Sequence, residues 1–474
     1  MNQINMPLYT ALEEFKQKNP ISFHVPGHKN GLLMEAFNQN IVSSLQYDVT
    51  ELSGLDDLHH AEGVISEAQQ LLSHYYHSVK SYFLVNGTTV GNLAMILSVC
   101  KAGDYVLVDR NCHKSVLNAL RIANVKPIFV FPTIDSDIKV GNGFQRSLVE
   151  QAFQQYKHIK ACIFTYPNYY GMTYDLQSII DCAHKHGSIV LVDEAHGPHF
   201  ALGFPFPSPA AECGADMVVH SAHKMLPAMT MGSYLHVYNE SIPIEKVEYY
   251  LSVLQSSSPS YPIMMSLDYA RWYVANFTKE DISYTLKQRE SFIKALRNIG
   301  IRVVETPGQD PLKLLISKDE VSGFDLQKGL EHVGLFSEMA DFYRVVFVLP
   351  LLKKDVEYPY QEAIDRMNSA ELETLPTIKG DLKTIKFPEV ITEPVLSYDE
   401  MERCTIEWVS IKQAKNCIAA KMIIPYPPGI PLLFPGEVIT DVHIQAIQQL
   451  RMYRASLQGE HKLDEDKLAV FKLN

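Results

Sequence analysis

The chain has 474 residues, 46% of them hydrophobic and 20% charged, enough apolar material for a large globular protein of two or three domains and too much for a disordered one. Forty-two Lys and Arg stand against 54 Asp and Glu, a formal charge of -12 without any basic run, which gives nucleic acid and anionic membranes no electrostatic foothold. Seven scattered cysteines, odd in number and never in a CxxC pair, read as reduced core residues.

The start, MNQINMPLYTALEEFKQ, lacks the basic-then-apolar layout of a secretory leader, and no apolar run approaches the roughly 18 residues that span a bilayer. The expectation is a cytoplasmic protein. From Ser81 to Tyr238 the chain repeats one pattern, a short β-branched or aromatic run, a polar loop and a helical stretch. SYFLV leads through a Gly-Thr loop into a helix over GNLAMILSVC, and DYVLVD leads through NCHK into SVLNALRIAN. Further strands are predicted at KPIFVF, KACIFT, SIVLVD and DMVVH. Strands alternating with helices imply right-handed crossovers and an α/β fold with a mainly parallel sheet covered on both faces.

Ligands in such sheets bind beyond the carboxyl ends of the strands, so the loops Asn86–Thr89, Asn111–His113, Thr165–Tyr169, Asp193–His199 and Ser221–Lys224 are expected to share one rim. After about Asp281 the texture changes: YTLKQRESFIKALRNIG reads as a long helix, GIRVVET and LKLLISK as strands, and IIPYPPGIPLLFPGE closes a smaller α+β part. Neither an internal repeat nor a low-complexity tract interrupts this order.

Three features carry chemistry. In NGTTVGN, Gly87 frees the backbone, Thr88 and Thr89 offer hydroxyls, and a following helix points its N–H groups and positive dipole at the loop, an anion site; an ordinary helix cap would use the same residues. Asp193 ends SIVLVD, where a carboxylate can hold a positive charge or merely cap the next element. Lys224 stands where the apolar run Met217–Val219 gives out, in a polar cluster with Ser221 and two histidines, and His113 follows another strand as a ring-stacking or a loop imidazole. A phosphate loop, an acid able to pair with a pyridinium and a lysine able to form an imine are the parts that pyridoxal 5'-phosphate requires. A rival drawing uses His196, His199, His220 and His223 as two H-x2-H pairs of a metal-dependent hydrolase, but it leaves Lys224 and the Thr pair unemployed.

Taken in order, HVPGHKNG (24–31), DVTELSGLDDLHHAEG (48–63), FLVNGTTVGN (83–92), DRNCHKS (109–115), VDEAHGPH (192–199), HSAHKMLPAMT (220–230) and PYPPGIPLLFPGE (425–437) resemble the ornithine/lysine/arginine decarboxylase family of fold-type I pyridoxal-phosphate enzymes. The resemblance covers nearly the whole chain. It implies an N-terminal arm over 1–45, a cofactor-binding large domain over 46–280 and a C-terminal α+β region over 281–474. It implies Lys224 as the Schiff-base lysine, Asp193 as partner of the pyridine nitrogen, His113 stacked on the ring and His196 beside the cofactor. Gly87, Thr88, Thr89, Ser221 and His223 would hold the phosphate, and Thr165 would reach the cofactor's hydroxyl.

HVPGHK begins at residue 24, which leaves no room for the N-terminal wing domain of the acid-stress members and points to the short bacterial subgroup. The expected activity is decarboxylation of a basic amino acid, arginine or lysine ahead of ornithine, by a homodimer or a small multiple of dimers serving polyamine metabolism. Phe336–Phe342 would help shape the substrate pocket, with Glu338 and Asp341 as candidate carboxylates for the substrate's cationic end. An aminotransferase or lyase on the same fold, or a non-catalytic cofactor-binding protein, would keep the same cofactor residues.

Overall fold

The computed structural model describes residues 1–473 except 136–137, 139, 369–371, 373, 378–389, 426–430, 453–456 and 459–461. Residues 426–430 of the PYPPGIPLLFPGE stretch therefore lie outside the described residues. The chain forms two compact units, one of Met1–Val99 with Val190–Thr278, the other of Cys100–Ile189 with Lys279–Asn474. The strands that position the site are β1 (Lys80–Leu84), β2 (Tyr105–Asp109), β3 (Lys126–Val130), β4 (Ile159–Thr165), β5 (Ile189–Asp193), β6 (Met217–His220) and β7 (Ser233–Val237).

In the first unit the strand order is β1-β7-β6-β5. β5 and β6 are parallel, while β7 runs antiparallel to both β6 and β1. Leu191, Val192, Val218 and Val219 are fully buried, which explains the unbroken apolar runs, since each such side chain removed from water stabilises the fold by about 1.5–3 kcal/mol. The helix Gly87–Val99 packs beside β6, and Gly91 makes this close approach possible: a Cβ there would sit 2.3 Å from the Val219 side chain. The helix begins at Gly87 itself, so Thr88 and Thr89 belong to its first turn and not to a preceding loop. β7 was not among the predicted strands. Its connection from β6 holds only the short helix Ala222–Met225, so the chain turns straight back and pairs antiparallel.

The N-terminal helix Pro7–Gln17 buries Leu8 and Leu12, four residues apart on one face. It is tied down by a buried ion pair: Asp268 accepts the Leu8 N–H at 3.1 Å, and Arg271, 2.6 Å from Asp268, donates to the Gln3 and Asn5 carbonyls.

In the second unit the order β4-β2-β3 is parallel, and Ile391–Thr392 adds an antiparallel edge to β3. The same unit carries an antiparallel sheet ordered Met339–Ala340, Val345–Val348, Lys313–Ser317 and Arg302–Val304, and a smaller one in which Lys467–Lys472 lies between Thr405–Ser410 and Ile418–Ala419. These form the smaller α+β part, with its own core around Ile411, Leu432, Ile439 and Ile447. The long helix predicted after Asp281 spans Lys279–Asn298. No helix among the described residues is long and apolar enough to cross a membrane.

Candidate active site

The first unit holds eight of the expected residues, in the segments that follow its strands and at one helix start. The Gly87 N–H donates to the Met231 carbonyl at 2.9 Å, and Gly87 takes φ +78°, which favours glycine. Thr88 hydrogen-bonds the Ser221 hydroxyl and lies 3.2 Å from the Ser233 hydroxyl. Three hydroxyls thus cluster at the N-terminus of Gly87–Val99, whose first-turn N–H groups have no partner within the helix. A Cβ built on Gly87 would meet nothing within 4 Å, so open space adjoins this cup. Thr89 is exposed beside it. His223 Nδ1 lies 3.0 Å from the carbonyl of Gly232, the residue before Ser233.

Asp193 is buried at the end of β5. Its Oδ1 accepts the Ala195 N–H at 3.1 Å, and its Oδ2 accepts the Asn92 amide at 2.8 Å. Asn92 stands four residues beyond Thr88 in one helix, so a single helix face supplies both a cup hydroxyl and the support for the carboxylate. Lys224 is half-buried in the turn after β6, with its Nζ 3.1 Å from His196 Nε2.

The second unit holds His113 and Thr165. His113 caps the helix Lys114–Ile122; its Nδ1 accepts the Ser115 N–H and lies 2.8 Å from the Ser115 hydroxyl. Thr165 ends β4, and its buried hydroxyl has no protein partner, nor has the buried Asn111 Oδ1. Asp109 joins the two loops, accepting the Asn111 N–H at 2.6 Å and the Thr165 N–H at 3.3 Å. An orphaned buried hydroxyl is costly unless something polar completes it.

Reasoning from sequence missed Asn92, Asp109 and Ser233 as parts of this arrangement. The i, i+4 spacing from Thr88 was the available signal for Asn92; Ser233 needed the antiparallel turn of β7, which the sequence pattern does not announce.

Asp341 is buried, and both its oxygens are occupied: the Tyr170 hydroxyl donates to one at 2.9 Å and the Tyr343 and Arg344 N–H groups to the other. Burial pushes its carboxyl up against the opposing charge of Arg344. Glu338 is exposed, with only its backbone N–H paired, to Val346. The four imidazoles of the H-x2-H pairs serve different ends: His196 meets Lys224, His223 meets a carbonyl, His220 meets Glu194 at 2.7 Å, and His199 packs edge-on against Phe200 and Phe206.

A hydroxyl cup on a helix N-terminus, a buried carboxylate and a lysine beside an imidazole, all on an α/β strand rim, suit pyridoxal phosphate: the cup matches a phosphate dianion, the carboxylate a protonated pyridine, the amine an aldehyde. Fold and donor set together define a fold-type I pyridoxal-phosphate enzyme. The Orn/Lys/Arg decarboxylase major-domain model matches residues 6–305, and the C-terminal-domain model of the same family matches 381–459. The chain is 45% identical to an uncharacterized Bacillus subtilis protein, YaaO, over 99% of both chains, and 31% identical to the arginine decarboxylase of Bacillus anthracis over 100% of this chain and 98% of that one. The solved Escherichia coli constitutive lysine decarboxylase superposes with a TM-score of 0.78 at 19% identity, covering 99% of this chain and 82% of the other. The chain belongs to the Orn/Lys/Arg decarboxylase family and is a pyridoxal-phosphate-dependent amino-acid decarboxylase.

Proposed function

We propose that the chain decarboxylates a basic amino acid, arginine first, to carbon dioxide and an amine that feeds polyamine synthesis. The observation that carries the cofactor reading is the first unit's grouping of the hydroxyl cup, Asp193 and the Lys224–His196 pair on adjacent strand ends, while the family match supports the reaction type. Whole-length identity to an arginine decarboxylase supports arginine.

Bound pyridoxal phosphate would supply the electron-accepting ring that takes up the pair released when the bond to the α-carboxylate breaks. Thr88, Ser221 and Ser233 would hold its phosphate, aided by the dipole of Gly87–Val99. The Asp193 carboxylate, fixed by Asn92, would keep a proton on the ring nitrogen. The Lys224 amine would bind the aldehyde carbon and yield that place to the substrate amine. Lys224, with His196 beside it, would return a proton to the substrate's α-carbon. In the second unit, His113 follows β2 and Thr165 ends β4, so the imidazole and the unpartnered Thr165 hydroxyl stand at the carboxyl ends of neighbouring parallel strands. Asp341 is withdrawn as a substrate carboxylate because its oxygens are already taken; Glu338 remains a candidate for the cationic end.

Two measurements test this reading. Borohydride reduction of the protein incubated with pyridoxal phosphate should leave the cofactor's mass on the Lys224 peptide; an adduct on another lysine overturns the site. A panel scoring carbon dioxide and amine together should rank arginine above lysine and ornithine, and preference for an acidic or aromatic amino acid overturns the substrate. Work in the cytoplasm as a homodimer completes the proposal.

A further inference from the structure

Behind the site a polar chain runs through the interior of the first unit. Glu194 Oε1 accepts the Ala210 N–H at 2.8 Å, and its Oε2 lies 2.7 Å from His220 Nε2. His220 Nδ1 is 3.1 Å from His236 Nε2, His236 Nδ1 is 2.7 Å from the Ser81 hydroxyl, and Ser81 is 2.6 Å from the Ser78 hydroxyl. Glu194, His220, His236 and Ser81 are 1%, 2%, 0% and 2% exposed, while Ser78 reaches partial exposure. Tyr76 covers both imidazoles, at centroid distances of 5.1 and 4.6 Å, and Tyr234 and Tyr238 flank His236.

The location gives this chain its meaning. Glu194 follows Asp193 directly and His220 precedes Ser221 directly, so the Glu194–His220 bond joins β5 and β6 where one delivers the carboxylate and the other a cup hydroxyl. The Glu194 N–H donates to the Val219 carbonyl and the Ser221 N–H to the Ala195 carbonyl, at 3.0 and 3.3 Å, continuing the strand pairing to that point.

Proton placement makes the chain all-or-none. Each imidazole uses both nitrogens, so neighbouring bonds are satisfied only if their protons point the same way. With Glu194 ionised and both imidazoles neutral, every N–H and O–H points toward Glu194. One further proton on the Glu194–His220 pair makes those beyond it point toward Ser78. Burial pushes the Glu194 carboxyl up and holds the His236 imidazole well below the usual histidine range, so His236 stays neutral and relays direction without charge.

We propose that Glu194 and His220, backed by His236 and Ser81, are positioning residues of the cofactor site: their buried chain fixes the gap between the ends of β5 and β6, and with it the span from the Asp193 carboxylate to the Thr88–Ser221–Ser233 cup. The proposal rests on reading those two groups as opposite ends of one pyridoxal-phosphate site. A ligand that bridges both ends senses the gap, whereas inorganic phosphate touches only the cup. A network serving stability alone would not separate the two ligands.

The test compares equilibrium uptake of pyridoxal phosphate and of inorganic phosphate by the full-length apoprotein, with thermal melts showing which variants are folded. His220→Leu removes both of the imidazole's bonds; we expect pyridoxal phosphate to weaken about tenfold or more and inorganic phosphate to change less than about twofold. His220→Gln, which can still bond Glu194 and His236, should bring the cofactor back to within about threefold of wild type. Equal weakening of both ligands, or unchanged cofactor affinity in His220→Leu, overturns the proposal.

Should His220→Leu not fold, Glu194→Gln decides. Its amide donates to His220 Nε2, so histidine ring 15N spectra of this variant should show both His220 and His236 protonated on Nδ1, with cofactor affinity preserved to within about threefold; an Nε2-protonated His236 overturns the chain. A wild-type protein that takes up no pyridoxal phosphate sinks the cofactor reading itself, and the 15N spectra of that apoprotein still report on the chain separately.

Discussion

Asp193 shows how much a single side chain depends on its supports. Two donors, the Asn92 amide and the Ala195 N–H, fix its two oxygens. Opposite charges about 4 Å apart attract by roughly 4 kcal/mol at an effective dielectric near 20, so losing the carboxylate charge should cost about a thousandfold in rate. Asp193→Asn is therefore expected to fold, keep much of its grip on the phosphate and lose kcat by about that factor; unchanged turnover would refute its role. Asn92→Ala removes one charge-assisted bond, about 1.5–3 kcal/mol, and should lower kcat by about ten- to a hundredfold while leaving inorganic phosphate uptake unchanged. A loss confined to KM would show instead that Asn92 serves substrate binding.

Among the elements, the strand-end loops depend on partners far along the chain. Arg110 directly follows β2 and is fully buried, bidentate to Glu437 and donating to the carbonyls of Pro431 and Leu432, with its guanidinium 4.3 and 4.5 Å from the ring centroids of Phe131 and Phe434. The PGE end of the C-terminal motif is thereby fastened to the segment that carries His113. Burial pushes the Glu437 carboxyl up, but Arg110's charge and hydrogen bonds outweigh it and hold the carboxyl below its ordinary value. A depressed folded-state value means the contribution is present above the unfolded value near 4.3 and is lost as pH falls through the folded one. Glu437→Gln should destabilise by about 3–5 kcal/mol at pH 7, since it strands a buried guanidinium, and the gap between variant and wild-type melting temperatures should narrow below about pH 4. A gap constant from pH 7 to pH 3 would show that the pair is not ionised in the folded protein.

The same elements show what the sequence makes legible. The runs from SYFLV to DMVVH can be read because their strands are buried on both faces and carry scarcely a polar residue. SYLHV escapes the pattern because Ser233 and His236 are polar groups spent on internal hydrogen bonds, a choice that only the folded neighbours Thr88, Ser81 and His220 explain. Lys224 and Asp193 stand out by type and position at strand ends, whereas Asn92 and Asp109 support others through contacts that composition cannot reveal. Asp341 illustrates the reverse error: its charge suggested a cationic ligand, but Tyr170 and the backbone of its own turn consume it.

At the scale of the whole molecule, the N-terminal segment presents apolar side chains that a monomer would leave in water. Phe23, Ile21 and Leu32 are 95%, 83% and 77% exposed, and Val25 and Leu33 lie exposed beside them. Burying each is worth about 1.5–3 kcal/mol, so five together supply about 7.5–15 kcal/mol, against the roughly 8 kcal/mol that corresponds to micromolar association, before the ordering cost is deducted. Such a cluster within one short segment marks a protein contact, and a closed two-fold dimer is the commonest way for a chain to cover itself. Sedimentation of the wild-type protein at micromolar concentration should give a dimer or a small multiple of one. Phe23→Ser combined with Leu32→Ser, two changes distant in sequence from Lys224 and Asp193, should shift the distribution toward monomer by weakening the contact about a hundredfold or more. A wild-type monomer with full activity would refute dimerisation, and an unaltered dimer in the double variant would move the contact away from this segment.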